Sequence, residues 1–432
     1  MIEVPYIKLA ELCTVNQGLQ IPISKRFKSE GLNRYFYITV QFLKDSHNEK
    51  FYVENPPKSS ICNKDDIIVV RTGSTGQILT GIEGCFHNNF FKVNYDKEKV
   101  VGKYLYYCLK SKEKQKEMKN RSGITTIPDL NHFMFLDMKI PLPIYSQQKR
   151  IVKILDSINS KVEVNNKINQ ELEAMAKTLY DYWFVQFDFP DANGLPYKSS
   201  GGKMVFNEAL KREIPEGWED KKLSDFADCN KWNRTKENLY DKINYLDTSS
   251  LTENVIESFQ ELDFEKDKIP SRAQRIVSEN DILYSTVRPN QLHYGIIKRP
   301  IENLIASTGF AQIRSNDSKI TNDFIYQILS QDYVSTRLQQ IAVGSVSAYP
   351  SISHNDIMEL TIALPLKEEL INKAKTIFQK YNDKIALNLE ENQKLSELRD
   401  WLLPMLMNGQ VTVGEVEQEL GMVAEEKLKY GE

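Results

Sequence analysis

Two long stretches share one hydrophobic design. In residues 147–184, Leu155, Ile158, Val162, Leu172, Ala176, Leu179 and Trp183 recur at three- and four-residue steps. In residues 367–407, Phe378, Tyr381, Ile385, Leu395, Arg399 and Leu402 occupy the matching places. This spacing predicts two long helices, each with a coiled-coil seam. Both seams carry two polar positions, Asn165 and Asn169 in the first and Asn388 and Asn392 in the second. Antiparallel packing about a two-fold axis would bring Asn165 to Asn392, Asn169 to Asn388 and Leu179 to Phe378. Buried asparagines reduce stability but fix register, because a slip leaves their amides against apolar side chains.

Each helix ends a longer repeat, so the chain reads as a divergent duplication. "KLAEL" at 8–12 matches "KLSDF" at 222–226, and the strand-like "DDIIVVRTGSTG" from Asp65 matches "NDILYSTVRPNQ" from Asn280. The amphipathic "GKYLYYCLKS" and "NDFIYQILSQ" follow. "IPDLNHFMFLDMKIPLP" then aligns with "YPSISHNDIMELTIALP", pairing Pro128, His132 and Pro143 with Pro350, His354 and Pro365. The expected organisation is a first domain (1–143), a long helix (144–185), a connector (186–217), a second domain (218–365), a second long helix (366–408) and a tail (409–432). The fold class is α+β, with two α/β domains separated by two long helices packed as an antiparallel coiled coil, in a pseudo-two-fold internal repeat. The connector is rich in Gly, Pro and Ser and reads as a surface segment.

A length of 432 residues fits this division into domains. Neither a leader pattern nor an apolar run of membrane-spanning length is visible, which places the chain in the cytoplasm, away from membranes. The five cysteines are scattered without a Cys-x-x-Cys pair and read as buried thiols, and no metal cluster emerges from the histidines. Net charge is -3. Residues 1–143 carry six more basic than acidic groups, whereas residues 215–365 carry six more acidic than basic.

One stretch imitates a catalytic motif. "IPDLNHFMFLDMK" places Pro128-Asp129 ahead of Asp137-x-Lys139, the residue order of metal-dependent nucleases. The second copy has Ser351, Glu359 and Thr361 at those places, and the run into Pro143 reads instead as a closing strand with Asp137 and Lys139 on one face. "ENPPKSS" resembles the base-flipping motif of amino-methyltransferases but has Lys58 where an aromatic platform is needed. "RTGSTG" at 71–76 lacks a convincing downstream ribose ligand, and no Walker "GxxxxGK" is present. No catalytic residue and no metal ligand is assigned.

The order of these segments, above all "IPLPIYSQQKRIVKILDSINSKVEVNNKINQELEAMAKTLYDYWFVQFDF", "GLPYKSSGGKMV" leading to "IPEGWE", and "ALPLKEELINKAKTIFQKYNDKIALNLEENQKLSELRDWLLPMLMNGQV", resembles the specificity subunit of type I restriction-modification systems across about residues 4–412. The resemblance implies a non-catalytic DNA-recognition subunit with two target recognition domains, each reading half of a split double-stranded DNA site. The helices would act as a ruler and dock methyltransferase subunits, expected as a pair. It further implies S-adenosylmethionine, ATP and magnesium on partner subunits, including a restriction and translocation subunit, with no cofactor on this chain. Two other classes remain open: an autonomous metal-dependent nuclease using Asp129, Asp137 and Lys139, and a coiled-coil scaffold with no DNA role.

Base readout needs side chains on loops, typically Arg or Lys to guanine and Asn or Gln to adenine. Three loops per copy offer them. In the first copy these carry Gln20, Lys25 and Arg26; Arg71, Thr72, Ser74 and Gln77; and Arg121, Thr125 and Thr126. In the second they carry Lys231, Asn233 and Arg234; Arg288, Asn290 and Gln291; and Ser345, Ser347 and Tyr349. Glycines 73, 76, 123 and 344 would let backbone approach phosphate. The lysine-rich run 110–121 reads first as a solvated helix face, because glutamates are interspersed.

Overall fold

The computed structural model describes residues 4–44, 49–123, 128–235, 240–344, 350–411, 414 and 416. Two compact units form: Met1–Val162 with Gln393–Glu432, and Glu163–Asn392. Each unit takes one copy of the repeated domain and part of both long helices.

The duplication seen in sequence is a duplication of topology. In the first unit an antiparallel sheet orders Cys13–Gln17, Phe90–Tyr95, Ile67–Val70 and Ile78–Leu79. In the second, Ala227–Cys229, Phe310–Ser315, Asp281–Ser285 and Tyr294–Ile297 follow the same order. The other sheets also correspond. Tyr52–Glu54, Arg34–Ile38, Gly84–Phe86 and Ile61–Cys62 match Gln260–Asp263, Lys242–Leu246, Leu304–Ser307 and Ala273–Ile276, and in both the two middle strands run parallel. The strands Ile67–Val70 and Asp281–Ser285 are buried along their whole length, which explains why residues 67–70 and 282–284 are unbroken apolar runs rather than alternating ones.

The first long helix is α-helical over Tyr145–Tyr180 and passes into a π-helical segment, Asp181–Val185. The second spans Glu368–Met407. Within the second unit the helices run antiparallel, and both asparagine pairs meet. Asn165 Nδ2 donates to Asn392 Oδ1 at 2.9 Å, and Asn388 Nδ2 donates to Asn169 Oδ1 at 2.7 Å. All four asparagines are buried. Leu179 and Phe378 belong to one apolar cluster there, while Leu155, Ile158 and Leu402 share the core of the first unit.

The sequence reading needs two corrections. The run before Pro143 is not one strand: His132–Leu136 is a short helix, Asp137 is its C-terminal cap, and only Lys139–Pro141 is extended, paired with Tyr6–Lys8. Asn131 accepts a hydrogen bond from the Met134 backbone N–H, so side-chain capping starts a helical turn where the apolar run Phe133–Leu136 suggested a strand. The connector also contains a hairpin, Met204–Asn207 with Arg212–Pro215, and Ile214 in it packs with Phe187 and Ala363.

All five cysteines are free thiols; Cys13, Cys62, Cys85 and Cys108 are buried and Cys229 is half-buried. Burial pushes the Cys13 and Cys108 thiols up to about 12, so neither forms a thiolate near neutrality. Among the described residues no helix is long and apolar enough to cross a membrane.

Candidate nucleic-acid interface

In the first unit the buried strand Ile67–Val70 delivers Arg71 to the surface, where its guanidinium grips Asp129 with two parallel bonds. Nε lies 2.6 Å from Oδ1 and Nη2 lies 2.8 Å from Oδ2. These bonds raise the Arg71 pKa. Arg71 is therefore engaged within its own domain, and so is the carboxylate expected of a nuclease. Asp137 lies elsewhere: it accepts from Lys8 Nζ at 2.7 Å and Arg121 Nη1 at 3.2 Å, and those bonds hold its carboxyl below the usual range. Lys139 sits opposite Lys8 in the strand pair. The would-be metal ligands are thus neutralised by separate cations, and no cluster of three His, Cys, Asp or Glu suited to a metal occurs among the described residues.

The other first-arm candidates divide similarly. Arg121 also bonds Glu117, at 2.9 Å. Arg26 donates from Nε to the Ile21 carbonyl and lies 4.9 Å above the Tyr37 ring. Lys25 ends an exposed 3-10 turn, and Gln20 accepts from Asn88 at 3.3 Å. Thr72 forms a backbone bridge with Asp129. Ser74 and Gln77 line a cleft of about 730 Å³. Thr125 and Thr126 lie outside the described residues.

In the second unit, Lys231 pairs with Asp228 at 2.7 Å, Asn233 donates to the Asn230 carbonyl and accepts from Arg275, and Arg234 stacks 4.9 Å from the Phe264 ring centre. The following loop is a 3-10 turn, Pro289–Gln291, flanked by two left-handed non-glycine residues: Arg288 (φ 49°) and Leu292 (φ 56°). Such backbone costs of order 1–3 kcal/mol per residue and persists only where its surroundings enforce it. Here the Arg288 N–H donates to the Pro350 carbonyl at 3.0 Å, and the Asn290 N–H donates to Gln339 Oε1 at 3.2 Å. The side chains of Asn290 and Gln291 are exposed on this fixed turn. Ser345, Ser347 and Tyr349 lie outside the described residues.

The loops hang on the same backbone scaffold. The Leu130 N–H donates to the Arg71 carbonyl at 3.1 Å, and the aligned Ile352 N–H donates to the aligned Thr286 carbonyl at 2.8 Å. Thr72 bridges Asp129 as Val287 bridges Ser351. Sequence reasoning missed the Arg71–Asp129 pair, although a signal existed: both members change together in the second copy, to Thr286 and Ser351.

A family profile described as "Type I restriction modification DNA specificity domain" matches residues 1–174 and 215–398. The chain belongs to this family. Among its relatives, the specificity subunit of type I restriction enzyme MjaIX of Methanocaldococcus jannaschii is 26% identical over 400 residues, covering 90% of this chain and 86% of that one. The MjaVIII specificity subunit of the same organism is 25% identical over 392 residues, covering 89% and 88%. The fold of the crystallised type I restriction-modification S subunit from M. genitalium superposes with a TM-score of 0.53 at 16% identity, covering 94% of this chain and 97% of that one. A specificity-family chain therefore has its two domains, its helices and its strand order here, with the loop residues differing between copies.

Proposed function

We propose that the chain is the sequence-specific DNA-binding specificity subunit of a type I restriction-modification complex, each recognition domain reading one half of a bipartite site. The observation that carries this is the family match across both copies of a fold whose two four-stranded sheets repeat in the same strand order. The chain supplies recognition, and the chemistry resides on partners: two methyltransferase subunits with S-adenosylmethionine, and a restriction subunit with ATP and magnesium. The assembly acts in the cytoplasm, where host DNA is accessible. Asp129 and Asp137 are held in separate ion pairs and Lys139 lies opposite Lys8 in a strand pair, which speaks against cleavage by this chain alone.

Co-expression with the genomically adjacent methyltransferase, followed by genome-wide methylation mapping, tests the reading. A split motif with a fixed spacer is expected; a continuous motif, or no methylation, would overturn it. The long helices set the spacer as a ruler. A helical residue advances about 1.5 Å and a DNA base pair about 3.4 Å, so adding roughly one turn to the helices should shift the spacer by about two base pairs. An unchanged spacer would refute the ruler.

A further inference from the structure

The first recognition domain has a cleft of about 730 Å³ between the loop that follows Ile67–Val70 and the helix Lys112–Arg121. Its walls are built and held. Gln115 Nε2 donates to the Gly76 carbonyl at 2.9 Å and to the Leu109 carbonyl at 2.8 Å, tying loop to helix. Gly76 has φ 86°, and a Cβ there would lie 3.2 Å from Met118 Cβ, so only glycine brings the loop this close without strain. Thr75 Oγ1 fastens the far side by donating to the Pro128 carbonyl at 2.9 Å.

The chemistry of the lining is one-sided. Among the described residues no acidic one lines the cleft; Lys110 and Lys119 do, together with Tyr106, Ser74 and Gln77. Both lysines are exposed. Lys110 Nζ donates to the neutral Tyr106 hydroxyl at 3.1 Å, and among the described residues neither lysine has a carboxylate partner. The arginines that sequence offered for this arm are otherwise committed: Arg71 to Asp129, Arg121 to Glu117 and Asp137, Arg26 to a carbonyl and a ring. A polyanion meeting this domain therefore finds unneutralised charge on the walls of this cleft, and not at those arginines.

The geometry points to the cleft as the seat of a DNA sugar–phosphate segment, with Lys110 and Lys119 contacting phosphate and Gln77 and Ser74 on the same wall facing the nucleotides. This rests on the DNA-recognition reading above and says where the first arm makes its backbone contacts. Phosphate contacts position a protein on DNA without reading sequence, and each neutralised phosphate steepens the salt dependence of binding by about 0.9 in log K against log salt.

The test uses the full chain assembled with its methyltransferase subunits and a duplex carrying the mapped bipartite site. Lys110→Ala and Lys119→Ala, both at exposed positions, should each reduce the salt slope by about one. The double variant should reduce it by about two and weaken matched and mismatched duplexes by a similar factor. A benzophenone-bearing amino acid in place of Gln77 should crosslink to the duplex. An unchanged slope in the double variant, or no crosslink from position 77 while the complex still binds its site, overturns the proposal. If the wild-type complex shows no site-specific binding at all, the functional reading itself fails, and the two failures are distinguishable.

Discussion

The two arms fasten to the long helices at matching positions but with different chemistry. In the first unit Lys103, at the start of the helix Gly102–Lys110, reaches Asp156 on the first long helix at 2.7 Å and remains largely exposed. Asp156 also accepts from the Tyr107 hydroxyl, which accepts from Asn159, and Asn159 accepts from Arg399. In the second unit the aligned residue is Asp323, which is buried. It accepts from Lys298 Nζ at 3.0 Å and from Asn382 at 2.8 Å, while Lys298 also reaches Asp383 at 2.8 Å. Asn382 stands where Asn159 stands in the first helix. One arm is thus joined by an exposed pair and a chain of hydrogen bonds, the other by a buried ion network at the same location. Equal topology does not imply equal sensitivity: a buried charge that loses its partner is costly, an exposed one is not.

The sharpest test of this contrast is therefore the largest in effect. Lys298→Ala should destabilise the second unit by about 3–5 kcal/mol in denaturant unfolding, whereas Lys103→Ala should cost the first less than about 1 kcal/mol. Equal costs would remove the distinction.

A second asymmetry is acidic. Burial pushes the Glu173 carboxyl up to about 7, with nearby Glu253 adding to the rise and Lys177 opposing it. Between its ordinary value of 4.5 and about 7 the folded chain holds a proton that the unfolded chain has released, so stability falls as pH rises through this window and levels off above it. Glu173→Gln should then stabilise the chain by roughly 1–3 kcal/mol at pH 8 and change little at pH 4. A gain that is the same at both pH values would discount the titration.

Smaller still is the effect at the asparagines. Asn169 Nδ2 is buried without a partner among the described residues, so Asn169→Leu with Asn388→Leu should raise stability by about 1–2 kcal/mol. Crosslinking across the helices should then detect alternative registers. A loss of stability with unchanged register would contradict this account of the pair.

The smallest effect is expected where the first arm is given the second arm's residues. Arg71→Thr with Asp129→Ser deletes an ion pair about one-third exposed, and should shift stability by less than about 1 kcal/mol while the fold, read by circular dichroism, is kept. A collapse of the domain would show the pair to be structural.

What could be read in the sequence follows the range over which each feature is encoded. The helical seams and their asparagines repeat every three or four residues, and the second copy supplied the pairing partners, so that the Asn165–Asn392 and Asn169–Asn388 bonds could be named from spacing. The Arg71–Asp129 pair spans 58 positions and depends on the whole domain closing. The contacts of Arg121 with Asp137 and of Arg26 with the Tyr37 ring were hidden because they too need the chain to fold back, whereas the Arg121–Glu117 pair, four residues apart on one helix, was legible. The misread segment before Pro143 failed locally, because the capping bond from the Met134 N–H to Asn131 outweighed the strand-like apolar run Phe133–Leu136. Lys110 and Lys119 were visible within a lysine-rich run, which folds not as one helix but as the end of Gly102–Lys110 and the separate helix Lys112–Arg121. Only folding separates them from Lys114, which is buried against Glu117.

The two backbone bonds that anchor the loops, Leu130 to Arg71 and Ile352 to Thr286, have a wider consequence. Neither uses a side chain, so the residues at these anchors can be rewritten without undoing the clasp. The fold has already tolerated one such rewriting within a single chain, from arginine and aspartate to threonine and serine. A lineage under pressure to recognise new sequences would find here a socket whose fittings change while its wiring stays in place.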